Sequence, residues 1–550
     1  MGISNRSSSR RKARGEPASA SSVLAVFLAA LSKGSENMAE HPAWLAKEME
    51  RRKFLRRSSQ MALGAVLTGS GAQLLGSPSA LASERAAAAA ASATAAVQGI
   101  TLSGLQTDTS GNTSKTLAEV ETEIAASKNN FGATHVRLQI QQQTFVGDGT
   151  QYNSTYAQTV YSAINYALGL GLTVIINCQT ERTGTTRTYL YPNDGNKATN
   201  AFWDYMLTSK GGNYRGNSKV ICDLFNEPQC GPNWTTWQNA YNGLISYIRS
   251  TLGVTSNQLW ADADNFAASL SGCPGLTDSA GHLVYSFHHP ASGPGGDTAG
   301  WATDFGNWAG SHQVVNGEFA QNSSFNWGSP YEIQHYLSYC ASIGVGQTIW
   351  TVYGDNYFSD SNDKPYGWWG HMINNFWNPG NGWQTYCFRS SVKWSQNYIM
   401  KNDNQLSWSD GLYQGWSPLA TSGGSMVAGV AAFNSFTADM ATGTKYRMHV
   451  SFRCVYPDNG SMTAVVGVHG VTSSSPPASF TSIVPRATNI AELANLQQYD
   501  WCNVDIPSGY LSQFASGYYT GIVFGPGPNS DAIYQGHLSF TPEVVIEVHA

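Results

Sequence analysis

Two glutamates end apolar, strand-like runs, where a pair of carboxyl groups can be held rigidly. Glu227 closes the run Val220-Ile-Cys-Asp-Leu-Phe-Asn-Glu, and Glu318 closes Val314-Val-Asn-Gly-Glu. Cleavage of a glycosidic bond needs one carboxyl group that protonates the leaving oxygen and a second that acts as nucleophile or base on the other face of the sugar ring. The chemistry that these residues predict is therefore hydrolysis of a glycoside.

Polar residues near other strand ends are expected to support the two glutamates. Asn226 precedes Glu227 and can bind the sugar 2-hydroxyl, while Arg137 can keep a neighbouring carboxylate ionised. His288 ends a later strand candidate and can bond either a glutamate or the substrate. Asp223 lies inside a strand candidate, so we expect it to be a structural hydrogen-bonding group.

The spacing of the glutamates fits one scaffold. They are 91 residues apart (318 − 227), which is the length of three strand-helix units of roughly 30 residues. Short apolar strand candidates alternate with helical or loop segments at 99–102, 134–138, 172–176, 220–225, 258–262, 283–287, 313–316 and 347–350. Eight such units predict an α/β fold, a closed parallel (β/α)8 barrel with the site at the carboxyl ends of its strands. A doubly wound open sheet is the alternative, but no Gly-x-Gly-x-x-Gly turn supports it.

The pattern changes after the barrel. Residues 446–456 alternate between apolar and polar side chains, as do 462–468 and 544–548, which is typical of half-buried antiparallel strands. We predict a barrel domain over 97–401, with its last helix at 388–400, and an accessory β-sandwich over 402–550. This sandwich is either a carbohydrate-binding module, with Trp408, Trp416 and Trp501 as candidates for its binding face, or a passive structural domain.

The first 82 residues are predicted to be a leader. Arg51-Arg-Lys-Phe-Leu-Arg precedes an apolar run from Met61 and the small-residue pattern Ala80-Leu-Ala, an order that resembles a twin-arginine export signal. The apolar run is too short to span a membrane. We therefore expect a secreted or periplasmic protein with no membrane association in its mature form, an Ala-rich linker at 83–96, and a true start that Met38 or Met49 could also supply.

Charge excludes several partners. The leader holds 12 of the 31 basic and 5 of the 36 acidic residues, so 19 basic and 31 acidic residues remain, a formal net charge of −12. An acidic, aromatic-rich chain argues against nucleic acid or an anionic membrane as partner, whereas neutral polymers fit. No metal-binding spacing is present, and we expect a monomer without cofactor.

Cysteine spacing leaves several pairings open. All 8 cysteines follow the leader, and an exported protein meets an oxidising compartment. We expect Cys178 and Cys222 to be buried thiols inside barrel strands. The remaining cysteines could form bridges, although the sequence does not fix their connectivity; the pairs considered are Cys230/Cys273, Cys340/Cys387 and Cys454/Cys502.

The succession of strand-end residues resembles glycoside hydrolase family 5, the cellulase family A. The residues that carry the resemblance, over 97–400, are Arg137, Asn226-Glu227-Pro228, His288, Gly317-Glu318-Phe319 and Trp350. The resemblance implies that Glu227 is the general acid/base and Glu318 the nucleophile of a retaining double displacement. It also implies that Asn226, Arg137 and His288 support them and that Trp350 is a sugar platform.

Two departures concern the sugar subsite. The family usually has a histidine at the end of the third strand, where this chain has Asn177-Cys178-Gln179, and often a tyrosine where this chain has Pro290. Aromatic residues in predicted loops are further candidates for stacking on sugar rings: Trp234, Trp237, Trp327, Trp368 and Trp369. Asp262 and Asp264 are weaker candidates for substrate contact, and Trp203 is expected in the core.

The leading hypothesis is an exported, retaining glycoside hydrolase that cleaves internal β-1,4 linkages of a polysaccharide, an endo-β-1,4-glucanase. A β-mannanase or another β-glycosidase of the same family is the alternative, because loops that one sequence does not interpret decide the polymer. A barrel that binds polysaccharide without cleaving it is the alternative from another class. It predicts polymer binding without release of reducing ends.

Overall fold

A computed structural model describes the barrel and part of the C-terminal region, and all of the described residues lie in one compact unit. These residues are 97–106, 113–145, 153–179, 197–208, 211–230, 234–288, 290, 298–319, 329–352, 359, 361–389, 400–402, 405–407, 413–414, 446–457, 462–469, 487–496, 501–515, 521–526, 536–538 and 543–549. The predicted leader and Ala-rich linker lie outside them.

Eight parallel strands close into a barrel, as the sequence predicted. Their bounds are β1 Gln98–Leu102, β2 His135–Gln141, β3 Thr173–Gln179, β4 Val220–Asp223, β5 Leu259–Asp262, β6 Leu283–His288, β7 Val314–Phe319 and β8 Gly346–Trp350. Each strand pairs with the next, and β1 also pairs with β8. All eight strand candidates are thereby confirmed.

Helices follow the strands and cover the outside of the barrel. The α-helices are Leu117–Asn129, Gln142–Phe145, Ser154–Gly169, Lys197–Leu207, Trp234–Ser246, Asp264–Ala267, Thr298–Trp301, Asn307–Ala309, Pro330–Ser342 and Gly367–Trp377. Two π-helical turns, Tyr247–Thr251 and Ala302–Gly306, and a 3-10 turn, Pro379–Asn381, complete the set.

Local sequence explains where two of these helices begin. Thr116 and Ser329 each form a capping box with a glutamate three residues later, and Pro330 occupies the first turn of its helix. These contacts satisfy backbone N–H groups that the helix itself leaves without partners. None of the helices in the described part of the chain is both long and apolar enough to cross a membrane.

The barrel has two apolar layers. Between the strands and the helices, large side chains such as Trp203, Trp237 and Tyr336 are fully buried, and the expectation that Trp203 is a core residue is confirmed. Inside the barrel, a separate cluster fills the region near the amino ends of the strands: Val97, Ile175, Ile221, Trp260, Val284 and Val315. This inner cluster lies directly below the polar site.

The C-terminal region is described only as strands and one helix. The strands are β9 Trp383–Arg389, β10 Met400–Asn402, β11 Gln405–Ser407, β12 Tyr413–Gln414, β13 Tyr446–Pro457, β14 Met462–His469, β15 Ala487–Leu496, β16 Trp501–Ile506, β17 Gly521–Pro526, β18 Gly536–Leu538 and β19 Glu543–His549, with a helix at Ser508–Ala515. Two larger sheets have the orders β12-β17-β14-β15 and β16-β13-β19-β9, with β18 on β13. The strands expected from alternation at 446–456, 462–468 and 544–548 are confirmed, and the β-sandwich itself stays a prediction.

One element was predicted wrongly. The sequence indicated a last barrel helix over 388–400, but Phe388 and Arg389 belong to strand β9, which pairs with the C-terminal strand β19. The last barrel helix ends at Trp377 instead. Residues 390–399 lie outside the described part. The run Trp-Gln-Thr-Tyr-Cys-Phe-Arg is rich in aromatic and β-branched residues, which favour a pleated, half-buried strand.

Among the cysteines whose side chains the structure describes, none forms a disulfide bond. Cys178 and Cys222 are buried in β3 and β4, as expected. The bridges considered for Cys230 with Cys273 and for Cys340 with Cys387 are not formed, so those pairings are corrected. Cys454 and Cys502 lie in β13 and β16, and their side chains are outside the described set.

Candidate active site

Polar side chains replace apolar ones toward the carboxyl ends of the strands. Successive residues of a strand point to opposite faces, so residues two positions apart share a face. Asp223 therefore points into the barrel interior like Ile221, and Asp262 does so like Trp260. Both aspartates are fully buried. A polar layer therefore lies directly above the inner apolar cluster, at the end of the barrel where enzymes of this architecture carry out their chemistry.

Arg137 of β2 is the centre of this layer. Its buried guanidinium donates from Nε to Asp223 Oδ2 at 2.7 Å, from Nη1 to Glu318 Oε1 at 2.6 Å and from Nη2 to Asn226 Oδ1 at 2.8 Å. Burial alone would lower the pKa of Arg137, but the carboxylates of Asp223 and Glu318 outweigh this effect and raise it. The arginine is therefore a fixed cation that joins three strand ends.

Glu318 is held through one of its two carboxylate oxygens. Oε1 accepts hydrogen bonds from Arg137 and from Gln139 Nε2, the latter at 2.8 Å. Oε2 lies 3.9 Å from His288 Nδ1 and accepts no hydrogen bond from the described residues. The two donors occupy Oε1 and leave Oε2 available to react.

A β-bulge turns Glu318 into the barrel. Strands β6 and β7 pair regularly up to Phe287 and Asn316, after which Gly317 is skipped as an extra residue of β7. Val315 points into the barrel, so regular alternation would send residue 318 outward. The extra residue reverses this direction. The bulge is thus the local device that brings the second glutamate to the site.

Glu227 lies beside Glu318 and His288. Its Oε1 is 3.1 Å from His288 Nδ1, and one donor atom from each of the three side chains lies within 4.8 Å of the others. That spacing would also suit a metal ion, but the hydrogen bonds that these groups already make explain their approach. Glu227 has a positive φ of 46°, a conformation that costs a non-glycine residue about 1–3 kcal/mol and occurs often at functional sites.

Asp262 holds this strained backbone and the histidine together. Its Oδ2 accepts from the Glu227 backbone N–H at 3.0 Å and lies 3.3 Å from His288 Nε2, a distance of an ion pair without good hydrogen-bond alignment. Burial alone would raise the pKa of Asp262, but His288 and Arg137 outweigh it and lower it. Asp262 therefore acts as a structural anion beneath Glu227.

His288 is protonated at neutral pH. Burial would lower its pKa, but the carboxylates of Asp262 and Glu318 raise the pKa to about 10. Asp223 behaves in the opposite way, because burial raises its pKa and the Arg137 cation offsets this only in part. The site thus contains two cations, Arg137 and His288, surrounded by four carboxyl groups.

The third strand carries buried amides where the resemblance noted from the sequence would place a histidine. Asn177 Nδ2 donates to Asp223 Oδ2 at 2.9 Å, and Gln179 Nε2 donates to Asn177 Oδ1 at 2.7 Å. Both amides are buried. Asp223 therefore accepts from Arg137 and Asn177 together, which confirms the expectation that it is a hydrogen-bonding group within the scaffold. Pro290 is also buried, beyond the end of β6.

The five polar residues predicted from the sequence converge, whereas three of the predicted aromatic candidates are buried in helices. Trp350 ends β8 and is partly exposed at the same end of the barrel. Trp237, Trp368 and Trp369 are buried in helices, which corrects their assignment to loops. Trp234 is partly buried in the helix that also holds Trp237, and Trp327 is outside the described residues.

Two bonding partners of the site were not predicted. Gln139 donates to Glu318, and Gln106 Nε2 donates to Gln139 Oε1 at 2.6 Å. Gln139 lies two residues after Arg137 in the same strand, so strand alternation could have placed it on the same inward face. Gln106 follows β1 in a connecting segment, where no periodic signal indicates direction.

Comparison with known families agrees with the site. Residues 93–356 match the family model described as cellulase (glycosyl hydrolase family 5). This match supports a glycoside hydrolase domain in that part of the chain. None of the curated proteins matches the chain significantly.

Solved structures match the barrel at low identity. A hyperthermophilic endo-β-1,4-glucanase in complex with substrate is 16% identical, over 52% of this chain and 98% of its own, with a TM-score of 0.41. The catalytic domain of the major endoglucanase from Xanthomonas campestris pv. campestris is 14% identical, over 51% and 94%, also with a TM-score of 0.41. Cel5A (EG2) from Hypocrea jecorina is 18% identical, over 46% and 88%, with a TM-score of 0.35. Similarities of this size do not by themselves establish a shared activity.

Proposed function

We propose that the barrel is a retaining glycoside hydrolase that cleaves internal β-1,4 linkages of a polysaccharide. The observation that carries the proposal is the asymmetric environment of the two glutamates at the carboxyl ends of β4 and β7. Glu318 is fixed by an arginine and an amide on Oε1, which leaves Oε2 for nucleophilic attack. Glu227 lies beside His288, which suits a group that gives and takes a proton.

In the first step, Glu318 Oε2 attacks the anomeric carbon while Glu227 donates a proton to the departing oxygen. A covalent glycosyl ester forms on Glu318, and the aglycone leaves. In the second step, Glu227 takes a proton from water, which attacks the same carbon and releases Glu318. Retaining enzymes have carboxyl groups about 5–5.5 Å apart, against about 6.5–9.5 Å for inverting enzymes. One oxygen of Glu227 and one of Glu318 lie within 4.8 Å of each other, a close approach that favours the retaining arrangement over the wider inverting one.

Supporting roles follow from the same geometry. Asn226 has its Oδ1 bound by Arg137, which orients its amide N–H₂ group for the sugar 2-hydroxyl. Trp350 offers a partly exposed ring as a platform for a sugar. We assign β-glucan as the first substrate to test, since the matching family model is a cellulase model and the mature chain is acidic and aromatic-rich. The β-mannans are the second.

One assay tests reaction, nucleophile and stereochemistry. The mature protein should release reducing ends from a soluble β-1,4-glucan or β-mannan, and the first product seen by proton NMR should be the β-anomer. Glu318→Ala should lower the turnover by at least about 10⁴-fold, because it removes the covalent step. Glu121→Gln, on an outer helix, is the matched control and should keep full activity.

Three outcomes would contradict the proposal. An α-anomer as the first product would refute the double displacement, and activity surviving in Glu318→Ala would refute the nucleophile. Tight polymer binding without reducing ends from any substrate would favour the polysaccharide-binding barrel.

Export is part of the same proposal. We infer that residues 1–82 contain the twin-arginine signal and that the mature protein, a monomer, acts outside the cytoplasm. The C-terminal strands would form an accessory β-sandwich, in which Trp501 belongs to β16 while Trp408 and Trp416 are outside the described residues. Mass spectrometry of the exported chain, in a host with and without a functional twin-arginine pathway, tests both the route and the cleavage position.

A further inference from the structure

We propose that Gln139 is a positioning residue for Glu318 and that Gln106 sets the orientation of its amide. The inference rests on the proposed function, because it concerns how the nucleophile is held. It starts from the two donors on Glu318 Oε1, the Arg137 guanidinium at 2.6 Å and the Gln139 amide at 2.8 Å. Arg137 is shared among three partners, whereas the Gln139 amide nitrogen bonds only to Glu318 among the described residues.

A glutamine amide can present either its N–H₂ group or its oxygen, so orientation decides whether it stabilises or repels a carboxylate. Gln106 resolves this choice. Its Nε2 donates to Gln139 Oε1 at 2.6 Å, which commits the oxygen of Gln139 away from Glu318 and turns the N–H₂ group toward Oε1. The two glutamines form a directional chain that ends on the nucleophile. Gln139 is buried and Gln106 is partly exposed.

The chain fixes the orientation of the nucleophile. The two donors on Oε1 restrict rotation of the Glu318 carboxylate, so Oε2 stays in one orientation. In a double displacement the same bond persists as Oε2 becomes esterified, because Oε1 becomes the carbonyl oxygen of the glycosyl ester.

Gln139→Leu removes the donor while keeping similar side-chain volume. We expect kcat to fall about 10- to 100-fold, the size of one hydrogen bond to a charged group. KM should change little, because the amide contacts Glu318 rather than the sugar. Gln106→Leu should cause a smaller loss in the same direction, and Gln106→Glu a larger one, because a carboxylate there accepts from the amide and turns the oxygen of Gln139 toward Glu318.

An activity-independent readout separates this inference from the proposed function. The ¹³C chemical shift of the Glu318 carboxyl carbon, measured at pH 7 in glutamate-labelled protein and assigned by its loss in Glu318→Gln, should change in Gln139→Leu, because a hydrogen bond to Oε1 is removed. Gln141→Leu is the matched control. It removes the same residue type from the same strand, where the side-chain oxygen has no partner among the described residues, and should leave that chemical shift unchanged.

The outcomes are distinct. An unchanged Glu318 carboxyl chemical shift with an unchanged kcat in folded Gln139→Leu overturns the positioning role, whatever the substrate. A changed chemical shift in a protein that hydrolyses no polysaccharide upholds the hydrogen-bond chain and overturns the proposed function. If Gln139→Leu unfolds, Gln106→Glu carries the same test, since it alters the amide orientation from a partly exposed site.

Discussion

At the scale of single residues, Arg137 supplies positive charge that the buried polar layer requires. Four carboxyl groups lie in a buried layer, and isolated charges there would be strongly unfavourable. Arg137 donates to Asp223 and Glu318 directly and lies 3.9 Å from Asp262. It therefore offsets part of the repulsion among carboxylates and also orients Glu318.

Removing this cation should cost both stability and activity. We expect Arg137→Met to destabilise the barrel by about 3–5 kcal/mol, the usual effect of removing one partner of a buried ion pair. Arg137→Lys should retain more stability, because a charge remains, but an ammonium cannot reproduce three divergent bonds in one plane. We expect at least a tenfold loss of kcat/KM in Arg137→Lys, measured beside denaturant unfolding. Equal stability and activity of both variants with the wild type would contradict this role.

The sequence identified the site residues because strand ends of a parallel barrel meet at one rim. Arg137, Asn226, Glu227, His288 and Glu318 all follow apolar strands, and the structure brings them within bonding distance. The sequence was less informative about side chains whose role depends on which hydrogen-bond partner they meet. Gln139 is such a residue, because an amide two positions after an arginine has no recognisable function until its bonding partner is known.

At the scale of elements, the sequence did not reveal which residues of β6 and β7 pair across the two strands. The strands themselves were predicted from apolar runs, but pairing offsets depend on which residues meet across two strands. Strand β9 was missed for a related reason. Its partner β19 is about 160 residues further along the chain, and no local pattern reports a pairing of that length.

Gly317 is the point at which this register can be tested. A Cβ there would lie 2.3 Å from Ser286 Oγ and 2.7 Å from His288 Nε2. We therefore expect Gly317→Ala to destabilise the barrel by about 1–3 kcal/mol, the usual cost of overpacking, and to lower activity by displacing His288. Thermal unfolding and hydrolysis rates measure the two effects.

A double variant and a control variant test whether a steric clash causes the effect of Gly317→Ala. Adding Ser286→Ala to Gly317→Ala removes the nearest clashing atom and should restore part of the stability. Gly169→Ala, at a glycine with open space around its Cβ position, should change stability by no more than about 0.5 kcal/mol. A Gly317→Ala protein as stable and active as the wild type would show that the bulge tolerates a side chain.

At the scale of the whole molecule, a buried polar network joins the barrel to the C-terminal sheet. Glu547 of β19 accepts on Oε2 from His371 at 2.7 Å and from His449 at 2.9 Å, and on Oε1 from Asn375 at 2.9 Å. His371 and Asn375 belong to the last barrel helix. Although the two histidines and Glu547 are close enough for a metal ion, both oxygens of the carboxylate are already bonded, which favours a hydrogen-bond and ion-pair network.

The position of His449 makes this network sensitive to pH. Its two ring nitrogens both face carboxylates, Nδ1 at 2.6 Å from Asp505 and Nε2 at 2.9 Å from Glu547, so the ring is held as an imidazolium. Burial would lower the pKa of His449, but these two bonds raise it to about 9. Burial would raise the pKa of Glu547, but His371 and His449 lower it to about 2. The remaining facing charge, Arg447, lies 3.8 Å from Glu547.

The sign of each shift sets a pH window for docking of the C-terminal sheet. A histidine whose folded pKa is raised contributes its full stability below about pH 6.5 and loses it as pH rises through about 9. A glutamate whose folded pKa is lowered contributes above about pH 4.5 and loses stability as pH falls toward 2. The contact between barrel and sheet should therefore be strongest between about pH 4.5 and 6.5.

Hydrogen exchange in β13 and β19, measured from pH 5 to 9, tests this window after correction for the intrinsic exchange rate. Protection should decline above pH 6.5 in the wild type and be low and nearly independent of pH in His449→Gln, with a difference of up to roughly 3 kcal/mol at pH 6.

His288 also has a raised pKa, so the difference between the two proteins, rather than the wild-type slope, isolates His449. His282→Gln, which removes an exposed histidine, should match the wild type. Identical protection in His449→Gln and the wild type at pH 6 would mean that apolar packing, rather than this network, holds the sheet against the barrel.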